Sequence, residues 1–314
     1  MQRYLIRRLL RGVLTVLGVL TITFLVVGLL PGDAVDMIFM RIPGTYRDTM
    51  RHAMGLDQPL HVRYVQWIVP LLTRGDLGNT IYTGEPVLKV VLQRLPVTIE
   101  LALLILAVSL SIALPLGIFA ARNRGSWLDY LAMQFSNLGQ AIPGFWIGTL
   151  LFFALGWKLR ILPSAGWVPL SENVGRNLLH LIMPVVAISL PEAAFFTRVV
   201  RSSMLEVLSA DYVRVAYAKG LRGRTVMWRH ALRNALIPLL TVGGVEMGYL
   251  LGGAIIVEDI FQLPGLGKLA VQSLNTRDVP VIQGWLLFYA TFFVAMNLLV
   301  DILYSVVDPR IRYE

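Results

Sequence analysis

Six stretches of this chain, Val13–Leu30, Val97–Ala121, Tyr130–Leu155, Leu178–Val199, Ala235–Val257 and Val281–Val307, are long and apolar enough to cross a lipid bilayer. A crossing helix needs about 20 mostly apolar residues. Membrane helices satisfy their own backbone N–H and C=O groups where no water can, so the expected fold is an all-α polytopic bundle of six transmembrane helices. Composition agrees: 56% of the 314 residues are hydrophobic and 15% charged, too apolar for a soluble domain. The first stretch holds 18 uncharged residues behind Arg3, Arg7, Arg8 and Arg11. The sequence GLLPGDAV that follows is a poor cleavage site, so an uncleaved anchor is expected.

Lys and Arg set the orientation. With a cytoplasmic N-terminus, pieces 1–12, 122–129, 198–234 and 308–314 hold 16 of them, against 5 in the short outer pieces 156–177 and 258–280. The outer piece 31–96 holds 7 more, but long loops carry little orienting weight. Both termini are expected in the cytoplasm. The net charge of +9 follows mainly from this asymmetry, which argues against a nucleic-acid partner. Cysteine is absent, which removes disulfides, thiolate metal sites and cysteine nucleophiles.

The expected organisation is an anchor over 1–30, an outer segment over 31–94, a multi-span core over 95–308 with a basic region at 201–238, and a tail over 309–314. The outer segment is too long for a bare loop. Thr45-x-x-Asp48 with Gly55 predicts a short helix over Tyr46–Met54. Asp57 is expected to cap a second helix carrying Leu60, Tyr64, Trp67, Ile68 and Leu71 on one face, with a break at Pro70. Glu85-Pro86 opens a third stretch that runs into the second span. Such a cap either rests on the membrane or meets a soluble partner outside.

Pro184 and Pro191 should kink the fourth span. The fifth carries Gly244-x-x-x-Gly248-x-x-x-Gly252, a smooth stripe for packing within the chain or for a seam with a second membrane subunit. Four acids lie within spans: Glu100, Glu192, Glu246 and Asp301. A carboxylate at a span's centre costs on the order of 2.5–3.5 kcal/mol, so it should face a wet cavity, a partner charge or a helix end. Glu100 and Asp301 are near span ends and are expected to reach an interface. Glu192 and Glu246 either line a polar translocation path or pair structurally.

No catalytic constellation is present. Pro264-Gly265-Leu266-Gly267-Lys268-Leu269 lacks the first Gly and the Ser/Thr of a phosphate-binding loop, and H-E-x-x-H and G-x-S-x-G are missing. His52, His61, His180 and His230 lack metal-ligand spacing. The chain is therefore expected to be no enzyme by itself, with no catalytic residue and no metal or other cofactor of its own.

Between the fourth and fifth spans lies a basic, helix-forming block, Asp211–Pro238, DYVRVAYAKGLRGRTVMWRHALRNALIP. Ser203-x-x-Glu206 reads as a capping box before it. Asp211 can cap a short helix and Gly220 can end it in a left-handed conformation. Tyr212, Val215, Ala216 and Lys219 recur at i, i+3, i+4 and i+7, a face suited to a partner's groove. Alternatively, with Arg222, Arg224, Arg229 and Arg233, the block rests against anionic lipid.

This block resembles the cytoplasmic loop of bacterial binding-protein-dependent ABC importer permeases. The general pattern there is Glu-Ala-Ala, three residues, Gly, then a later Leu-Pro. Aligned on Gly220, this chain has Arg214, Val215 and Ala216 at the Glu-Ala-Ala positions and Arg233 at the later Pro. The dipeptide, oligopeptide and nickel branch departs in the same way, and Asp211–Leu221 and Arg229–Pro238 fit it closely. Further matches occur in order along nearly the whole chain: Tyr4-Leu5-Ile6-Arg7-Arg8, Pro31-Gly32-Asp33, Gly55–Leu60, Gly75-Asp76-Leu77-Gly78, Arg94–Leu101, Val257–Phe261, Pro264–Gly267, Arg277-Asp278 and Asp308–Arg312. The outer segment resembles the first, B-type permease of a pair.

The resemblance implies a type I importer permease of the bacterial cytoplasmic membrane. It implies a second homologous permease chain, two ATPase subunits that bind ATP and Mg, and an extracytoplasmic substrate-binding protein. Asp211, Tyr212, Arg214, Val215, Ala216, Lys219, Gly220 and Leu221 would form the coupling helix seated on an ATPase. Di- or oligopeptides are the favoured cargo, with nickel chelates, glutathione or another small solute as alternatives. A channel or secondary transporter working alone would need a complete path in one chain, and no internal symmetry of that kind is visible.

Overall fold

The computed structural model describes residues 2–29, 35, 48–49, 51–52 and 55–307, with the side chains of 2–5, 230, 251–253 and 304–307 excluded. Among the described residues it is helical, with no strand beyond one isolated bridge between Asn79 and Pro86. The chain divides into two compact units, Met1–Thr98 with Pro264–Ala295, and Ile99–Leu263 with Met296–Glu314.

In the first unit, α1 (Gln2–Leu29) has no acid in its first turn and runs through the anchor stretch. Helix α2 (Leu60–Arg74) begins after Pro59, whose side chain makes no capping bond. Asp57 therefore does not cap it; its carboxylate instead accepts a 2.6 Å hydrogen bond from His52 Nδ1. That bond raises the His52 pKa and lowers that of Asp57. Helix α2 also continues through Pro70, which costs it one hydrogen bond without ending it. Of the short helix expected over Tyr46–Met54, Asp48, Thr49, Arg51 and His52 are helical and the rest lies outside the described residues. Gly55 does turn left-handed, at φ +64.

Directly after Pro86 begins α3 (Val87–Arg122), a single 36-residue helix that carries the outer stretch into the second span. Its first turns pack Val87 and Val91 with Leu77, Leu266, Leu269 and Val281 in the core of this unit. Leu266 and Leu269 belong to α11 (Leu266–Thr276), and Val281 to the start of α12 (Val279–Val307).

In the second unit, the third expected span is two helices. Helix α4 (Trp127–Ala141) and the helical run that starts with α5 (Gly144–Leu151) and ends in a π-helical turn over Phe152–Lys158 meet at 86°. Pro143 is the cause: it disfavours helical backbone at the residue before it, and Ile142 is extended at φ −102. Helix α6 (Val174–Ser209) is continuous for 36 residues despite Pro184 and Pro191. Its N-cap is Asn173, whose Oδ1 accepts the Arg176 N–H at 2.9 Å. Ser203 lies buried inside α6, so Ser203-x-x-Glu206 is not a capping box.

The remaining helices are α7 (Asp211–Ala218), the single turn α8 (Gly223–Thr225) leading into a π-helical turn over Val226–Ala231, α9 (Leu232–Gly253) and α10 (Ile255–Ile260). The main core joins Ala113, Ile118 and Ala121 of α3, Phe196, Val200 and Met204 of α6, and Ala231, Ala235 and Leu239 around the start of α9. Buried hydroxyls fasten α3 to α6: Ser109 Oγ donates to the Ser189 carbonyl and Ser189 Oγ to the Ile105 carbonyl, both at 3.2 Å. Small polar residues allow this close approach between membrane helices.

By length and composition α1, α3, α6 and α12 can each cross a membrane, and the bent pair counts as a fifth crossing if its halves act as one.

Candidate functional site

Helix α7 begins after an extended Ala210 and places Asp211 in its first turn, where its charge suits the positive helix end. Asp211 is thus inside the helix instead of capping it, and Arg214 Nη1 lies 3.4 Å from its carboxylate. Val213 and Ala216 point inward and pack on Val226, with Val207 and Leu208 against them. Tyr212, Val215, Tyr217, Arg214 and Lys219 are exposed. The expected face of Tyr212, Val215, Ala216 and Lys219 is therefore split, because Ala216 belongs to the packed side. The outward surface is Tyr212, Val215 and Tyr217 with Leu221 beyond the helix end. Tyr212 is also braced, since Asn234 Nδ2 donates to its hydroxyl at 2.8 Å.

The left-handed stop at Gly220 is present, at φ +75. Gly220 N–H donates to the Tyr217 carbonyl at 2.9 Å and Leu221 N–H to the Ala216 carbonyl at 3.4 Å. This paired pattern satisfies two carbonyls that the helix end would leave open. Beyond it, Arg222, Arg224, Thr225 and Trp228 line a surface concavity.

Val207 and Leu208 serve two clusters at once. They pack against α7 and also against the main core of α3, α6 and α9. Helix α7 is thus joined to the apolar bundle through side chains as well as through the single residue Ala210.

A short distance up α6, Arg201 forms a two-pronged ion pair with Asp129 of α4, at 2.5 Å from Nε and 2.8 Å from Nη2. Asp129 is buried and its second oxygen accepts the Gly125 N–H at 2.9 Å. Arg198, one turn back, donates to Asn137 at 2.8 Å. Sequence reading missed this pair. The signal was an acid at the mouth of an apolar stretch, but nothing local ties it to an arginine 72 residues later.

Glu192 of α6 and Glu246 of α9 are both partly buried, on two helices that pack against each other in the main core. Glu100 accepts a 3.0 Å hydrogen bond from the Trp167 indole, and Asp301 is partly buried. In the glycine stripe, a Cβ at Gly244 would overlap the Val300 side chain of α12, so this glycine serves packing within the chain. Gly248 is buried, and Gly252 lies outside the described side chains.

Asp278, from the Arg277-Asp278 motif, is buried just ahead of α12 and accepts the Ile81 N–H at 3.2 Å. Burial pushes its carboxyl above the ordinary range, against the backbone N–H groups of Ile81, Val281 and Tyr82. It holds the 77–86 loop to the helix start, helped by the Tyr82 hydroxyl donating to the Thr276 carbonyl at 2.8 Å. The motif segments Pro31-Gly32-Asp33 and Asp308–Arg312 lie outside the described residues. Among the described residues no group of three His, Asp or Glu side chains is placed to hold a metal ion.

Residues 113–313 match the family described as the binding-protein-dependent transport system inner membrane component, and residues 1–102 match its N-terminal part. The chain belongs to that family. A relative from Brucella abortus is 40% identical to this permease over the whole of both chains. The oligopeptide transport system permease protein AppB of Bacillus subtilis is 38% identical and the dipeptide transport system permease protein DppB of Alkalihalophilus pseudofirmus 37%, each over 100% of both chains. Among solved structures, an inward-facing methionine ABC transporter, MetNI, matches with a TM-score of 0.55 at 15% identity, over 70% of this chain and 96% of that chain. This permease is accordingly a multi-pass inner-membrane component of an ABC importer with peptide-transport relatives, and its fold is shared with permeases of type I importers.

Proposed function

We propose that this permease and a second homologous permease form the translocation path of an importer for di- or oligopeptides, driven by two separate ATPase subunits and fed by an extracytoplasmic substrate-binding protein. ATP and Mg are bound by the ATPases, and this chain contributes no cofactor of its own. In this reading α9 and the bent pair complete six crossings, with both termini in the cytoplasm. The names of the relatives support the substrate class.

The observation that carries the reading is α7. It is short, closed at Gly220, exposed on Tyr212, Val215 and Tyr217, and wedged by Val213 and Ala216 onto residues that also belong to the bundle core. A rigid element of this kind transmits a push from an ATPase into α6. Purification of the tagged chain in mild detergent should bring with it a second permease and two ATPases, and loaded binding protein should stimulate ATP hydrolysis by that assembly. A stable oligomer of this chain alone would point instead to a channel.

Glu192 and Glu246 are proposed to line the path, where their carboxylates attract the cationic amino end of a peptide. A charge-assisted contact is worth about 1.5–3 kcal/mol, so Glu192→Gln and Glu246→Gln are each expected to lower uptake by about tenfold or more, with assembly intact. Full uptake in both variants would remove them from the path.

A further inference from the structure

Helix α2 shows three different faces. Tyr64 and Trp67 turn toward α1, where Phe24 meets Tyr64 edge-on at 5.2 Å and stacks on Trp67 at 5.5 Å. Thr21 Oγ1 and the Tyr64 hydroxyl are 2.8 Å apart, and Gly28 leaves room only for Leu60. A second face, Val65, Val69 and Leu72, recurs at i, i+4 and i+7 and is exposed by 55%, 49% and 62%. The third is a narrow polar arc of Arg63, Gln66, Thr73 and Arg74.

The position of α2 along α1 decides what covers the second face. The uncharged stretch of α1 spans about 27 Å at 1.5 Å per residue, close to the roughly 30 Å of a bilayer core. Arg11 marks one boundary, so Leu29 stands at the other. The contacts with α2 fall on Thr21, Phe24 and Gly28. These lie within the hydrocarbon-facing part of α1, from its end to about 12 Å below it. Over the same stretch α1 itself leaves Ile22, Leu25, Val26 and Leu29 exposed. A helix lying in the interface buries its apolar face by about 5–10 Å and keeps a polar face in water.

We propose that α2 is an interfacial helix seated in the bilayer leaflet at the far end of α1, with Val65, Val69 and Leu72 among acyl chains and Arg63, Gln66, Thr73 and Arg74 at the headgroups and water. Under the orientation proposed above this is the outer leaflet; the depth itself is independent of that orientation. The helix ties the loop after Arg74 to the membrane surface.

The chain contains no cysteine, so single thiols can be placed in the natural sequence. The full chain carrying V65C, V69C, L72C, Q66C or T73C is reconstituted in vesicles of phosphatidylcholine and phosphatidylglycerol, nitroxide-labelled, and probed with oxygen and a water-soluble nickel chelate. At V65C, V69C and L72C, oxygen should dominate and the nickel chelate be excluded; Q66C and T73C should show the reverse. A membrane-impermeant maleimide should react about tenfold more slowly at V69C than at Q66C, because apolar surroundings suppress the thiolate. Nickel access at all three stripe positions would overturn the proposal. So would exclusion of both probes there, which would mean that protein covers the stripe. Two independent stripe positions beside V69C guard against one variant that misfolds.

Discussion

Gly220→Pro is expected to cut uptake by at least about tenfold while the chain still inserts in the membrane. The backbone at Gly220 sits at φ +75, whereas proline is held near −65°. Proline also lacks the N–H that donates to the Tyr217 carbonyl. A residue forced to a sparsely populated backbone region costs about 1–3 kcal/mol, and a lost hydrogen bond adds about 1 kcal/mol. Helix α7 has only eight residues and two fully inward side chains, Val213 and Ala216, so strain of this size is enough to fray it. Gly220→Ala isolates the backbone contribution, because an added Cβ there meets nothing within 4 Å. It should produce a smaller loss of about 1–2 kcal/mol. Gly223→Ala is the control, since its Cβ makes only an ordinary 3.8 Å contact with Tyr217 and its backbone is not left-handed. ATP hydrolysis and uptake should be measured on the same reconstituted assembly. Hydrolysis that persists while uptake falls in Gly220→Pro, with Gly223→Ala near normal, is the expected result. Full uptake in Gly220→Pro would show that α7 does not need its closed end to work.

What could be read from the sequence divides by range of interaction. Long apolar runs identify membrane helices because the cost of an unsatisfied backbone in lipid dominates everything else. Gly220 could be read as a stop because left-handed turns select glycine locally. The orientation of α7 could not: Tyr212, Val213, Val215 and Ala216 are all apolar enough to face either way, and the choice is made by Val207, Leu208 and Val226. Ser203-x-x-Glu206 reads identically at a helix start and in mid-helix, and packing of Met204 and Val200 into the core decides for the latter. The break in the third span was written locally in Ile142-Pro143-Gly144, yet the hydropathy of the flanks masked it. Glu192 and Glu246 each read as a costly acid from the sequence, whereas the packing of α6 on α9 is set by long-range contacts of Phe196, Val200 and Met204 with Ala235 and Leu239.

The second large effect is expected where long-range pairing matters most, at Asp129 and Arg201. Their two-pronged contact buries the carboxylate, with 7% of its side chain exposed and 22% of the arginine's. Removing one partner of a buried pair costs about 3–5 kcal/mol; water reaching the guanidinium places this pair near the lower end. Asp129→Ala leaves Arg201 without its carboxylate and frees the Gly125 N–H as well. Arg201→Ala leaves the Asp129 carboxylate with the Gly125 N–H. Arg201→Lys should recover only part of the loss, because an ammonium cannot reproduce the planar fork. Asp129→Ala combined with Arg201→Ala should cost clearly less than the sum of the single changes, since neither charge is then stranded. Thermal unfolding of the purified chain in one detergent, compared across the four variants, gives the coupling directly. Strictly additive losses would mean that each residue acts alone. A strong coupling would mean that α4 is clamped to α6 immediately before α6 hands over to α7; under the coupling role proposed for α7, a push on it would then move the α4–α6 pair as one body instead of being lost in slippage between them.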